Sequence, residues 1–224
     1  MKIIEERVRE LKEKLKTGNC FGERVTIVAA TKMQSVESIN AAISAGVDAV
    51  AENKPQEFRD KEQWLQPCPR HFIGHIQTNK VKYLVGKIDL FHSLDRDDLV
   101  VELAKQSKKL AIVSDCLVQI NIGNEESKSG YSYQDSKEVF LRLSQTDGLR
   151  IRGFMAMLPE TDDREYLISL IKKMRELYEW AAKQSKEICY LSMGMSGDYE
   201  LCVEHGSNMI RVGSNLFGAR NYGE

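Results

Sequence analysis

Proline is scarce in this 224-residue sequence: there are four, and they do not gather into anything that reads as a linker between domains. Cysteine is sparse as well. Cys20, Cys68, Cys116, Cys189 and Cys202 are scattered, odd in number and without a C-x-x-C pair, which argues against a disulfide frame or a zinc site and for reduced thiols. Neither sign of charge is in excess, since 32 basic and 33 acidic side chains give a formal net charge of −1, and the basic stripe of a nucleic-acid binder is missing. No run approaches the roughly 20 apolar residues of a membrane span. Met1 to Val8 mixes charged and apolar residues at helical spacing, where a secretory signal needs an apolar core. A G-x-S-x-G elbow and a G-x-G-x-x-G fingerprint are both lacking. The expectation is a cytoplasmic protein, one domain over residues 1–224, with neither nucleic acid nor membrane as a partner.

What is present is organised around Val25-Thr26-Ile27-Val28-Ala29-Ala30-Thr31-Lys32, a β-branched and apolar run that ends in a single lysine. Such a run reads as a strand buried on both faces, as in a parallel sheet covered by helices. Lys32 then lies at the carboxyl end of the strand, where open α/β sheets and (β/α)8 barrels bind their ligands. Partial desolvation there disfavours the ammonium form and makes the amine a nucleophile toward aldehydes.

The same alternation recurs along the chain. A helix over residues 2–17 precedes the Lys32 strand. Strands at 47–50, 70–74, 88–92, 116–122, 149–157, 188–193 and 208–212 follow, separated by helical segments, with Ser35 and Asp95 as expected N-caps. Eight strands alternating with helices in about 200 residues predict a single closed (β/α)8 barrel with an extra N-terminal helix. Its rim would gather Lys32, Glu52, Asn53, Gly74, His75, His92, Ser93, Asn121 and Met155. The last two loops add Ser196, from Met193-Gly194-Met195-Ser196, and the turn Arg211-Val212-Gly213-Ser214. Serines and glycines after the last two strands suit an anion, because free N–H groups at a helix start favour negative charge. Other signals carry less. His71 and His75 lie on a β-like segment, where residues four apart are roughly 13 Å apart, too far to share one ion. Gly123 to Ser129 lacks the P-loop glycine before its lysine. Met155, Met157, Met193 and Met195 read as packing side chains.

Several stretches together resemble one family, the pyridoxal phosphate homeostasis proteins, relatives of the N-terminal barrel of bacterial alanine racemases. They are Val28 to Lys32, Ala51-Glu52-Asn53, His71 to Lys80, Ser93 to Arg96, Val118 to Gly123, Glu126 to Gly130, Gly153 to Ala156, Leu191 to Ser196, Arg211-Val212-Gly213 and Phe217-Gly218. Ala51 stands where that family usually has glycine, and Met33-Gln34 where a proline-containing turn is common.

The resemblance implies a barrel that holds pyridoxal 5′-phosphate as a Schiff base on Lys32. Ser196 and the backbone of Gly213 and Ser214 would hold the phosphate, Asn53 would lie near the ring, and Arg211 would face the pyridine nitrogen, making the ring a weak electron sink. Racemases of this type add a C-terminal β-domain whose tyrosine is the second acid/base, and this sequence ends soon after the eighth unit. The expectation is therefore a monomer that binds, buffers and supplies the cofactor, with apo-enzymes as recipients and without significant turnover. The alternative is a compact amino-acid racemase.

Overall fold

The computed structural model describes residues 1–218. Nine strands run β1 (Thr26–Ala30), β2 (Ala49–Glu52), β3 (Arg70–Phe72), β4 (Leu90–Leu94), β5 (Ser114–Asn121), β6 (Tyr131–Ser132), β7 (Leu149–Ala156), β8 (Tyr190–Ser192) and β9 (Met209–Val212). Between them lie α1 (Lys2–Lys14), α2 (Val36–Ser44), α3 (Pro55–Lys61), α4 (Asp97–Lys109), α5 (Ser136–Leu143), α6 (Arg164–Gln184), α7 (Tyr199–Glu204) and α8 (Ser214–Phe217), with 3-10 turns at Glu62–Trp64 and Thr78–Tyr83.

The strands pair in the order β4-β3-β2-β1-β9-β8-β7-β5-β6, all in parallel, and a further β4–β5 pairing closes eight of them into a ring. The expected (β/α)8 barrel with its extra N-terminal helix is thus what the chain forms. Residues of alternate parity separate the two faces of each strand. Val28, Ala49, Leu90, Leu117, Met155 and Met209 fill the inside of the ring, while Ile27, Val50, Phe72, Phe91, Val118, Phe154 and Ile210 pack outward against the helices. Helix α1 buries Ile4, Val8 and Leu11 and packs against α2 and α8. Among the described residues no helix is long and apolar enough to cross a membrane.

Local differences from the sequence expectations have physical causes. Ser35 does cap α2, accepting from the Ser38 N–H. Asp95 does not cap α4: it is buried, its carboxylate pairs with His75 and Arg96, and the helix begins two residues later. Two of the helical segments expected between strands are shorter or tighter than α-helix: α3 runs into a 3-10 turn, and the segment between β3 and β4 is the second 3-10 turn. Residues 123–130 form a loop, folded on itself by Asn121 Nδ2 donating to the carbonyls of Glu125 (2.8 Å) and Lys128 (2.9 Å). This loop delivers Tyr131 and Ser132 alongside Ile120 and Asn121 as a ninth, two-residue strand outside the ring.

Candidate functional site

Strand β1 hands its direction to the lysine. Thr31 stays in register with β2, its N–H donating to the Ala51 carbonyl at 2.9 Å, and Lys32 turns half-buried into a cavity of about 310 Å³ at the carboxyl mouth of the barrel. Asn53, Ser196, Arg211, Gly213 and Ser214 line the same cavity, so all six sequence-predicted positions meet there. Met155, Met157, Met195 and Ile73 supply its apolar wall.

One wall is built for an anion. Ser196, in the loop after β8, accepts from the N–H groups of Gly213 (3.2 Å) and Asn215 (3.3 Å), the start of α8. A hydroxyl oxygen that accepts two N–H groups keeps its own proton to donate elsewhere. Gly213 lies close under β1: a Cβ there would sit 3.3 Å from the Ala30 carbonyl.

The lining also holds an acceptor without a donor. Asn53 Oδ1 is buried and has no hydrogen-bond partner, which costs free energy unless a ligand supplies one. The backbone at Asn53 is held by Gly74, whose missing side chain is what lets the two segments touch, since a Cβ on Gly74 would fall 2.0 Å from the Asn53 carbonyl.

Arg211 forms the floor. Its guanidinium is buried and donates only to neutral oxygens, Ser192 O (2.8 Å), Ser192 Oγ (2.7 Å) and Ala156 O (3.1 Å). Burial lowers its pKa to about 10, which leaves it charged at neutral pH. Behind it a polar chain crosses the barrel, with Ser192 Oγ 3.2 Å from His92 Nδ1, and His92 Nε2 3.0 Å from His71 Nδ1. A guanidinium only donates, so Ser192 accepts from it and passes its own proton to His92 Nδ1. His92 then carries its hydrogen on Nε2 and donates to His71. Every acceptor therefore faces Arg211, a row of dipoles that supports a buried cation without a carboxylate. Protonating His71 with His92 in this tautomer would set two N–H donors against each other. Burial lowers His71 to about 4, and burial followed by the neighbouring His71 and Arg211 holds His92 well below its ordinary value.

His71 thus points into the barrel, whereas His75 sits on the rim against Asp95 at 2.9 Å. Among the described residues no group of three or more metal-ligating side chains is assembled. The sequence reading missed Ser192 and the residues that reach the lysine loop from α3, Glu57 and Lys61. Their i,i+4 spacing just after Asn53 was the available signal. Chemically, the cavity combines a primary amine, an anion cradle, an unsatisfied acceptor and a cation bonded only to neutral oxygens. A small anionic carbonyl compound matches that set.

The family model described as alanine racemase, N-terminal domain, matches residues 2–221. The chain is 36% identical over 221 residues to the pyridoxal phosphate homeostasis protein of Aquifex aeolicus, covering 97% of this chain and 95% of that protein. It is 34% identical over 209 residues to the protein of the same name from Helicobacter pylori, covering 92% of each. Among solved structures it is similar to PipY of Synechococcus elongatus PCC7942 with PLP bound, with a TM-score of 0.83, 28% identity, and coverage of 96% of this chain and 100% of that one. The alanine racemase of Clostridium difficile 630 shares the fold, with a TM-score of 0.79 at 16% identity, and this chain spans 58% of its length.

Proposed function

The chain belongs to the alanine racemase N-terminal domain family, among its pyridoxal phosphate homeostasis proteins, and from that premise we propose that it binds pyridoxal 5′-phosphate at the Lys32 mouth and serves cytoplasmic cofactor homeostasis as a carrier. The observation that carries this reading is that an amine and an anion cradle face one cavity, which Lys32 lines together with Ser196, Gly213 and Ser214. When bound, the cofactor supplies an aldehyde for Lys32 and a phosphate for the cradle.

The residues then divide the work. Ser196, oriented by the Gly213 N–H, donates its remaining proton to the phosphate, joined by the backbone N–H of Ser214. Asn53 receives the donor it lacks. Arg211, held charged by Ser192 and the histidines behind it, keeps the pyridine nitrogen from taking up a proton, which weakens the ring as an electron sink. A carrier reading is supported by the same lining. Apart from Lys32 and Arg211, the described residues around the cavity have no ionisable side chain, so opposite faces of a bound amino acid would lack paired proton donors. Cofactor-dependent apo-enzymes are the recipients on this reading, and residues 1–224 act as one domain.

The test is spectroscopic. Loaded protein is expected to show a visible band that borohydride bleaches, leaving a fixed mass on Lys32, and Lys32→Ala is expected to lose the band and at least about tenfold in affinity, roughly 1.4 kcal/mol. A colourless protein whose ligand binding ignores Lys32→Ala would overturn the proposal. Turnover of any L-amino acid above about 1 s⁻¹, within the ordinary enzyme range, would replace the carrier by a racemase.

A further inference from the structure

The Lys32 side chain leaves the backbone between two peptide planes, and both are tied to one ion cluster. Lys61, the last residue of α3, sends its ammonium to three oxygens: Thr31 O (3.3 Å), Glu52 Oε1 (3.1 Å) and Glu57 Oε2 (3.0 Å). The three donors of an ammonium are thereby used. Glu57 Oε2 also accepts the Met33 N–H at 2.9 Å, and Thr31 Oγ1 lies 2.7 Å from Glu52 Oε1. The Thr31 carbonyl belongs to the peptide plane before the Lys32 Cα, and the Met33 N–H to the plane after it. With both planes bonded to the same cluster, φ and ψ of residue 32 are fixed together. The cluster is sheltered, with the Lys61 side chain 15% exposed and that of Glu52 4%, so water competes little for these bonds. It lies outside the described lining of the cavity and does not touch the ligand's place.

We propose that Lys61 and Glu57 are positioning residues that aim Lys32 at the ligand's carbonyl carbon, an inference that rests on the function proposed above. The step they serve is condensation: Lys32 Nζ, having released one ammonium proton to solvent, forms a C=N bond with the aldehyde carbon, and its two remaining protons leave with the aldehyde oxygen as water. Holding the amine in a near-attack direction speeds that step and, because the same direction suits the C=N bond, favours its product, without changing how the phosphate is held.

Two ligands separate aiming from general damage. Pyridoxal 5′-phosphate uses the amine and the cradle, whereas its alcohol analogue pyridoxine 5′-phosphate has no carbonyl and uses the cradle alone. In Lys61→Met, growth of the visible band on mixing with pyridoxal 5′-phosphate is expected to slow about tenfold or more, and affinity to fall about tenfold, while affinity for the alcohol stays within about twofold of wild type. Glu57→Ala cuts the Met33 tie but leaves the Lys61–Glu52 pair, so it keeps the buried charges matched should Lys61→Met fail to fold. It is expected to show the same split at smaller size. Wild-type band kinetics in the folded variants, or an equal loss for both ligands, would overturn the inference. A wild-type protein that forms no band at all would instead sink the proposed function, leaving the two failures distinct.

Discussion

The two mouths of the barrel are made from the same strands and both carry ion pairs at their edges, but the centre of the upper one is left differently. At the amino-terminal mouth, ions are matched side by side. Asp48 receives Arg24, and Asp115 receives Arg150 through two bonds of 2.6 and 3.0 Å, while Arg152 pairs with Glu187 at 2.5 Å. At the carboxyl mouth, Arg211 is bonded only to neutral oxygens, an asparagine oxygen is buried without a donor, and a serine hydroxyl keeps a proton in reserve. One end is finished by the protein itself, and the other leaves polar groups for the proposed ligand to complete. This is the usual division in barrels, where the bottom serves stability and the top carries function. Here the polar row Arg211–Ser192–His92–His71 runs from one to the other, and His71 lines the lower cavity beside Asp48, Asp89 and Asp115.

The sharpest way to break this contrast uses two glycines that each permit a backbone contact. A Cβ on Gly153 would lie 1.8 Å from the Tyr190 carbonyl, between β7 and β8, whereas one on Gly74 would lie 2.0 Å from the Asn53 carbonyl at the upper rim. Neither clash can be relieved by a side chain swinging away. Both Gly→Ala variants are expected to lose at least about 3 kcal/mol in urea unfolding. Only Gly74→Ala should also lower ligand affinity beyond what its stability loss explains, because it displaces Asn53. Equal affinities in the two folded variants would show that the rim does not position the ligand.

A smaller effect is expected where the mouths are joined. His71 has its pKa lowered by burial to about 4, against about 6.5 in an unfolded chain. A group depressed on folding stabilises the protein fully above its unfolded pKa, and that contribution is lost as pH falls toward the folded value. Between pH 7 and 5 the neutral ring should therefore lose about 2 kcal/mol of its contribution. His92 is shifted the same way, while burial raises Glu52 and works in the opposite sense over the same range. Both remain in His71→Asn, which retains an acceptor for His92. Its urea midpoint is expected to be lower at pH 7 but to decline less steeply toward pH 5. Parallel slopes would remove the protonation of His71 from acid destabilisation.

The barrel was legible because buried parallel strands write themselves as continuous apolar runs, and eight of them between Val25 and Val212 left little choice of architecture. The positions of Lys32, Ser196, Arg211 and Gly213 followed from strand ends, which is a matter of counting. Partners across the ring were not legible. Nothing in the spacing of His71, His92, Ser192 and Arg211 tells that they touch, since their contact depends on which parity of each strand faces inward and on the stagger between strands. Asp95 looked like a helix cap for the same reason: its pairing with His75 and Arg96 is tertiary and overrides a local preference. The Lys61 cluster hid in a helix whose i,i+4 charges ordinarily mean a solvated face.

Met33 offers the finest test, because its backbone and its side chain make opposite demands. Its φ is +60°, a left-handed conformation that a non-glycine residue adopts at a cost of about 1 kcal/mol. Its side chain is 59% exposed, so little apolar burial offsets that cost. The conformation persists because the Met33 N–H is held by Glu57 and the preceding peptide by Lys61. Met33→Ala keeps both the strained φ and the N–H bond, and is expected to unfold within about 0.3 kcal/mol of wild type. Met33→Gly removes the strain but gains freedom in the unfolded chain worth about 0.4–1 kcal/mol, so a net stabilisation below about 0.5 kcal/mol is expected. The pair isolates the backbone term: a loss above about 1 kcal/mol in Met33→Ala would mean that the methionine side chain packs the lysine loop, and that the upper mouth is partly finished by the protein after all.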